Sequence, residues 1–279
     1  RTAVINNLEF DHADIFNNLE EIEKQFHHLI RTIPGNGTII SPHEDFGIEK
    51  VIDMGCWSYR QHFGVNLPDS KCKKAALDME TFWNAEFEGE QGNEFQLVKY
   101  EKKSGIVIKT EGLVKWSQNG KHNVKNALAA VAAANHVGVD LSVAAMALEN
   151  FEGVKRRMEL RGSVNGINVY DDFAHHPTAI QTTLDGFAAK LSASKSSKRL
   201  VAVIEPRSAT MKLGVHQEKL SEACLSADEV VWYKSDSMGL DFELLNSSLG
   251  VPSCVFDSVD EIVTFLTETC SSGDNVIIM

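Results

Sequence analysis

Several features that mark other protein classes are missing from this sequence of 279 residues. No apolar run approaches the roughly 20 residues of a membrane-spanning helix, and the N-terminus has no secretory signal pattern, so we predict no membrane insertion. The five cysteines are scattered and form no C-x-x-C pair, which favours reduced thiols in the cytoplasm over disulfides or a zinc site. The net charge of −12 argues against nucleic acid or an anionic membrane as the main partner.

The phosphate loop G-x-x-x-x-G-K-[ST] is also absent, since Gly120-Lys121 is followed by His122. The sequence opens on Arg1 directly before a short apolar run, and it closes on an apolar segment that is typical of a core strand. Both ends therefore suggest cuts through structural elements, and the sequence predicts a fragment of a longer protein.

The first half of the chain predicts a mixed α/β domain. We expect a strand over residues 2–9 and then a helix that Asp11 caps and that ends near Arg31. Spacings of four and three define its apolar face, which comprises Ile15, Leu19, Ile22, Phe26 and Leu29. Short strand-like runs suited to a mixed or antiparallel sheet follow at residues 38–40, 51–53, 95–98 and 105–108. Helices are predicted over residues 123–137, ended by Gly138, and over residues 142–150.

The second half alternates strictly between strands and helices. Strands are expected at residues 164–170, 199–204, 229–233, 253–256 and 275–279. Helices are expected at residues 178–190, 215–227, 241–249 and 259–269, with a serine-rich loop at 192–197. This order predicts a parallel, doubly wound, Rossmann-like sheet. We set the domains at residues 1–157 and 158–279.

Polar groups follow the strands of the second domain. They are Asp171, Asp172 and His175; Glu205, Arg207 and Ser208; Lys234, Ser235 and Asp236; and Asp257. Because the carboxyl ends of parallel strands meet at one crevice, we expect these groups to converge there. Arg207 suits a carboxylate or phosphate, because its planar fork donates two parallel hydrogen bonds. The alternative for Arg207 is a solvated surface arginine.

Three further places in the first domain can carry chemistry. Asp11 and His12 lie at a strand-to-helix turn that suits a magnesium or phosphate environment, or His12 is an ordinary surface residue. A glycine introduces the helix whose first turn carries His122, Asn123 and Asn126. Amide side chains can read the edge of a base such as adenine, and Asn123 can also be the helix N-cap.

The basic pair Arg156-Arg157 lies where the two predicted domains join. It can reach a triphosphate from the side, like an arginine finger, or it can be a basic linker.

Taken together, these motifs resemble the Mur ligases, an ATP-dependent family. The matching segments are EFDHAD at residues 9–14, GKHNVKNALAA at 120–130, KRR at 155–157 and DDFAHHPT at 171–178. The resemblance implies the later part of a central P-loop-type ATPase domain followed by a Rossmann-like C-terminal domain. Two longer segments, NLEFDHADIF at 7–16 and EPRSATMKLG at 205–214, resemble the peptidoglycan-recycling branch.

That branch joins UDP-N-acetylmuramate to the tripeptide L-Ala-γ-D-Glu-meso-diaminopimelate through an acyl phosphate, using ATP and Mg²⁺. The resemblance thus implies an ADP-forming ligase that takes UDP-N-acetylmuramate and the murein tripeptide as substrates. Two alternatives stay open, namely a UDP-N-acetylmuramate–L-alanine ligase and a non-catalytic nucleotide-binding module. Without its phosphate loop, we expect this chain alone to be inactive.

The resemblance also implies roles for individual residues. Arg157 and His175 would be catalytic, and His12 would lie at a metal site. Nucleotide would contact His122, Asn123, Asn126, Arg157 and Asp172. The incoming peptide would contact His175, Arg207, Ser208 and Lys212. Many relatives carry a carbamylated lysine where this chain has His27, so no carbamate is predicted.

Overall fold

The computed structural model describes residues 1–89, 91–193, 198–235 and 239–279. The chain divides into two compact units. The first contains Arg1–Phe10 and Phe16–Glu152, and the second contains Asp11–Ile15 and Gly153–Met279. The serine-rich loop at 192–197 and Asp236 fall partly or wholly outside the described residues. No helix in the described ranges is long and apolar enough to cross a membrane.

The first unit contains a six-stranded mixed sheet. Its strands are β1 Thr2–Val4, β2 Thr38–Pro42, β3 Tyr59–Val65, β4 Thr81–Glu86, β5 Glu94–Lys103 and β6 Ile106–Lys115. They lie in that order across the sheet. The first four are parallel, whereas β4–β5 and β5–β6 are antiparallel. The expected mixed sheet is therefore confirmed, with its antiparallel part at one edge.

The helices of this unit differ in part from the prediction. They are α1 Leu19–Arg31, α2 Phe46–Asp53, α3 Asp69–Met79, α4 Lys121–His136 and α5 Leu141–Glu149. Asn18, not Asp11, caps α1, because the Asn18 side chain accepts the amide N–H of Glu21. Ile15 lies outside this helix and its side chain is exposed. The sequence pattern did not indicate α3.

The strand expected at residues 51–53 is wrong, because those residues belong to α2. Asp45 caps this helix by accepting the amide N–H of Ile48 at 3.1 Å. Ile48, Val51 and Ile52 are buried. Their spacing of three and four places them on one helical face, which outweighs the β-propensity of the short run.

The second unit contains the predicted doubly wound sheet. Its strands are β7 Glu159–Val164, β8 Ile167–Asp171, β9 Leu200–Ile204, β10 Glu229–Tyr233, β11 Ser253–Phe256 and β12 Asn275–Ile278. The order across the sheet is β11-β10-β9-β12-β8-β7, and all pairs except β7–β8 are parallel. Its helices are α6 Pro177–Ala193, α7 Ala209–Lys212, α8 Gln217–Ala223, α9 Phe242–Ser248 and α10 Val259–Thr269.

Apolar residues cover both faces of this sheet. In β12, Ile277 packs into one hydrophobic cluster and Val276 into another. The first cluster includes residues of α6, α8 and α9, and the second includes Ile262 of α10. Alternate side chains of a strand point to opposite faces, so a central strand buried on both sides reads as a continuous apolar run.

One expected strand is instead a hairpin. Residues 164–170 were predicted as a single strand, but β7 and β8 pair antiparallel across a turn at Asn165-Gly166. Both turn residues have positive φ, 53° for Asn165 and 80° for Gly166. Asn-Gly is the preferred pair for such a two-residue turn, and it was the overlooked signal.

Candidate active site

Two loops of the second unit begin beside the carboxyl end of β12. After β8, the amide N–H of Asp172 donates to the carbonyl of Ile278 at 2.9 Å. After β9, the amide N–H of Glu205 donates to the carbonyl of Met279 at 2.9 Å. The central strand thus brings the loops that carry His175 and Arg207 to the same edge of the sheet.

The groups that follow β10 and β11 make no direct bond to these two loops among the described residues. Within the described ranges, Lys234, Ser235 and Asp257 form no hydrogen bond or ion pair with either loop. The ammonium of Lys234 instead lies 5.9 Å from the ring centroid of Phe242. Direct contacts therefore join the loops after β8 and β9, and the expected convergence of Lys234, Ser235 and Asp257 stays a prediction.

Asp172 holds the backbone of the first loop. Its side chain is 3% exposed, and its two carboxylate oxygens accept the amide N–H groups of Met158 and Ala174, each at 2.8 Å. The hydroxyl of Thr183 donates to the same carboxylate at 3.5 Å. A carboxylate that accepts two backbone N–H groups fixes the segments on both sides of it.

Asp171, the neighbouring aspartate, has a different environment. It is half-buried and pairs with the Arg156 side chain, Nε to Oδ2 at 3.3 Å. Arg156 has a left-handed backbone with φ of 57° and a half-exposed side chain. The adjacent Arg157 is exposed, and its guanidinium makes no hydrogen bond or ion pair to any described residue. Arg156 is thus engaged in an ion pair of this loop, whereas the side chain of Arg157 is available to a ligand.

Phe173 is the aromatic centre of the loop. The guanidinium carbons of Arg156 and Arg207 each lie 5.2 Å from the centroid of its ring. The ring of His175 meets it edge-on at 5.1 Å between centroids. An arginine at this distance from an aromatic ring is attracted by the negative charge on the ring face.

His175 and Ser208 connect the two loops. Nδ1 of His175 lies 2.9 Å from the carbonyl oxygen of Phe173, which can only accept, so this nitrogen carries a proton. Nε2 of a neutral His175 is then the hydrogen-bond acceptor. The hydroxyl of Ser208 donates to the carbonyl of His175 at 3.1 Å and also accepts the amide N–H of Met211, which caps α7. Lys212 is the last residue of that helix.

Asp11 and His12 belong to the same unit as Thr210, a residue that the sequence did not single out. The buried hydroxyl of Thr210 donates to Oδ1 of Asp11 at 2.6 Å and accepts the amide N–H of Ala13 at 3.1 Å. Burial favours the neutral acid of Asp11. The hydrogen bonds from Thr210 and the amide of His12 outweigh this effect, and the pKa of Asp11 is lowered.

The predicted metal ligand His12 lies in this turn, exposed and with φ of 54°. Among the described residues, no group of three or more His, Cys, Asp or Glu side chains could hold a metal ion. Asp11 and His12 offer at most two ligands, whereas Mg²⁺ takes six, mostly oxygen atoms of carboxylates, phosphates and water. These residues alone do not form a magnesium site.

The predicted adenine-reading residues lie in the first turns of α4 in the first unit. Gly120, with φ of 89°, is the N-cap, so the prediction that Asn123 caps this helix is wrong. Asn123 instead donates its side-chain amide to the carbonyl of Asn119 at 2.7 Å. Asn126 is exposed and accepts from the side chain of Asn6 at 3.1 Å. His122 is half-buried in the same turn.

Comparison with known proteins covers both units. The Mur ligase middle domain model matches residues 1–134, and the Mur ligase glutamate ligase domain model matches residues 156–279. The UDP-N-acetylmuramate–L-alanyl-γ-D-glutamyl-meso-2,6-diaminoheptandioate ligases of Escherichia coli K12 and Haemophilus influenzae are 39% and 36% identical over the whole chain. The chain spans 56% of the length of each of these relatives. The UDP-N-acetylmuramate–L-alanine ligase of Desulfitobacterium hafniense is 31% identical over 98% of the chain and 58% of its own length.

Solved structures agree with this relationship. The murein peptide ligase of Psychrobacter arcticus matches all of the chain and 54% of its own length, with a TM-score of 0.68 and 39% identity. The UDP-N-acetylmuramate–alanine ligase of Thermotoga maritima, at 22% identity and a TM-score of 0.67, matches 99% of the chain and 55% of its own length and shares the fold. The two domain models and the relatives matched along the whole chain lead to one conclusion: the chain belongs to the Mur ligase family.

Proposed function

We propose that this chain is the part of an ATP-dependent ligase that joins UDP-N-acetylmuramate to the tripeptide L-Ala-γ-D-Glu-meso-diaminopimelate. The observation that carries the proposal is the 36–39% identity, over all 279 residues, to two ligases named for that reaction. The identity to the alanine-adding ligase of Desulfitobacterium hafniense is lower, at 31%. The sequence of this chain holds no phosphate loop, and we propose that the chain alone is inactive.

The proposed chemistry has two steps. The muramate carboxylate attacks the terminal phosphorus of ATP, which releases ADP and leaves an acyl phosphate. The amine of the acceptor then attacks the acyl carbon and displaces phosphate. Arg157 is proposed to stabilise the negative charge on the transferred phosphoryl group, which an exposed guanidinium with no partner among the described residues can do.

We assign the adenine contact to His122, Asn123 and Asn126. The ribose contact is assigned to the Asp171-Asp172 pair rather than to Asp172 alone. Asp172 is 3% exposed and already accepts two backbone N–H groups, so a hydroxyl has little access to it.

The acceptor peptide is proposed to meet His175, Arg207, Ser208 and Lys212. Its amine must be neutral to attack, and Nε2 of His175 is an acceptor suited to take the ammonium proton. Arg207 and Lys212 are cations that suit the carboxylates of the tripeptide. Ser208 is proposed to act mainly through the backbone of His175, to which its hydroxyl donates.

Magnesium is proposed to enter with the nucleotide. Asp11 and His12 are proposed to contact its coordination shell, and phosphate oxygens and water would be further ligands. The reaction is proposed to take place in the cytoplasm. The five cysteines are scattered and form no C-x-x-C pair, which supports a reducing compartment.

The test is phosphate release by the whole polypeptide that its gene encodes, given ATP, Mg²⁺ and UDP-N-acetylmuramate. One reaction receives the tripeptide and a matched reaction receives L-alanine. Release with the tripeptide alone supports the proposal, and release with L-alanine alone assigns the protein to the alanine-adding enzymes. The absence of phosphate release in both reactions favours a non-catalytic nucleotide-binding module.

A further inference from the structure

Phe173 is a large aromatic side chain that remains 38% exposed, although its neighbours Asp172 and Ala174 are buried. Its position is fixed through the backbone. The Phe173 amide N–H donates to the carbonyl of Arg156 at 2.9 Å, and its own carbonyl accepts from Nδ1 of His175. The backbone of Phe173 is thus held at two points, and its ring lies at the surface as a platform for the side chains around it.

Arg207 depends on that platform. Within the described ranges its guanidinium forms no hydrogen bond or ion pair, and its one side-chain contact of this kind is the Phe173 ring at 5.2 Å. A free arginine side chain samples many rotamers, which costs binding free energy when a ligand fixes it. A guanidinium held over a ring by this attraction still has N–H groups that can donate to a carboxylate.

Arg156 differs from Arg207 in one respect, although both lie at the same distance from the ring. Arg156 is also paired with Asp171, so its charge is already compensated within the loop. Because each guanidinium carbon is 5.2 Å from one centroid, the two are at most twice that distance apart. Among the described residues, Arg207 is therefore the arginine of this pair that has no carboxylate partner.

We propose that Phe173 is a positioning residue for acceptor binding. It holds the Arg207 guanidinium, and through its carbonyl the His175 ring, ready for a carboxylate-bearing acceptor amine. The proposal rests on the proposed function, because it assigns a substrate carboxylate to Arg207. Phe173 itself acts through these two residues and is not assigned a contact with the reacting atoms.

The test compares Phe173→Leu with Phe173→Tyr in the whole polypeptide. Leucine removes the ring face but keeps an apolar side chain, whereas tyrosine keeps the ring face. We expect Phe173→Leu to raise the KM for the tripeptide about two- to fivefold, the size of an exposed cation–π contact, with the KM for ATP unchanged. Phe173→Tyr should restore the KM. A general structural defect would instead change both KM values, and this result would overturn the proposal.

A double-mutant cycle sharpens the result. If Phe173 acts through Arg207, then Phe173→Leu should raise the KM for the tripeptide less in an Arg207→Ala protein than in the wild type. Any increase that remains is the contribution of Phe173 through His175. A full, independent effect in the Arg207→Ala background would contradict the proposed coupling. An acceptor KM for Phe173→Leu equal to that of the wild type would contradict it as well.

A readout without turnover separates this inference from the proposed function. In the 279-residue chain, the ring current of Phe173 should move the NMR signals of the Arg207 δ-methylene protons. Phe173→Leu should abolish this displacement, and Phe173→Tyr should retain it. Wild-type signals at unperturbed positions would refute the contact between Phe173 and Arg207 whatever the enzyme does. A clear displacement in a protein that is inactive with the tripeptide would refute the substrate assignment alone.

Discussion

Replacing Asp172 by asparagine should destabilise the second unit strongly, whereas the same change at Asp171 should not. Asp172 accepts two backbone N–H groups at 2.8 Å while it is 3% exposed. Asparagine has one acceptor oxygen, and its amide nitrogen would face the second N–H group, so two donors would oppose each other. The charge that strengthens the remaining hydrogen bond would also be lost.

The size of the effect follows from these two contacts. A hydrogen bond to a charged group is worth about 1.5–3 kcal/mol, and a buried N–H left without a partner costs a similar amount. We therefore expect Asp172→Asn to lower the free energy of unfolding by about 3 kcal/mol. Asp171 is half-buried and its ion pair involves a half-exposed arginine, so Asp171→Asn should cost about 0–1 kcal/mol.

Urea unfolding of the 279-residue chain, followed by hydrogen exchange, measures the difference. With a urea dependence of about 2 kcal/mol per molar, the midpoint of the second unit should fall by roughly 1–2 M for Asp172→Asn. The amides of Met158 and Ala174 should lose protection. Equal midpoints for the two variants, with both amides still protected, would refute the scaffold role of Asp172.

Three further predictions concern other sites. In urea unfolding, Thr210→Val should lower the free energy of unfolding by about 1–2 kcal/mol at neutral pH, whereas Thr210→Ser should keep the wild-type value. The difference between wild type and Thr210→Val should narrow below about pH 4. The lowered pKa of Asp11 stabilises the folded state only while Asp11 is ionised, so this stabilisation is lost as Asp11 is protonated. Thermal unfolding should show that Gly166→Ala lowers the free energy of unfolding by about 1–2 kcal/mol, because Gly166 has a φ of 80°. Gly162→Ala is the control: an added Cβ there meets open space, so the free energy of unfolding should change by less than about 0.5 kcal/mol. The pKa of His62 is lowered to about 4, mainly by burial and next by the charge of the neighbouring Arg60. The free energy of unfolding of the wild type should therefore fall as the pH drops from about 6.5 to 4, because the unfolded chain takes up a proton that the folded protein does not. His62→Gln should make the free energy of unfolding depend less on pH over this range.

The alternation of the second unit could be predicted because its central strands β9, β10 and β12 are buried on both faces. Such strands appear as short apolar runs between helices, and the expected bounds of β10, β11 and α10 agree with the structure. The hairpin of β7 and β8 was missed because apolar residues on both sides of Asn165-Gly166 read as one run. In the first unit, α3 escaped prediction because its sequence is largely polar and no side chain caps its start.

The candidate site was predictable in part. The strand-end rule brought together the loops after β8 and β9, and with them His175, Arg207 and Ser208. It could not tell the buried Asp172 from the more accessible Asp171, since the difference depends on which carboxylate faces the amide of Met158. Nor could it tell that Arg156 pairs with Asp171 whereas the side chain of Arg157 is exposed.

The most direct test of the central claim follows an oxygen atom. The whole polypeptide is given ATP, Mg²⁺, the tripeptide and UDP-N-acetylmuramate whose carboxylate carries ¹⁸O, and mass spectrometry reads the products. With ¹⁸O at both carboxylate oxygens, the account predicts one ¹⁸O in each phosphate released. The joined product keeps the other ¹⁸O, and its mass equals that of the two substrates minus H₂¹⁸O. Phosphate without ¹⁸O, or ATP consumed without the joined product, would contradict a ligase that works through an acyl phosphate.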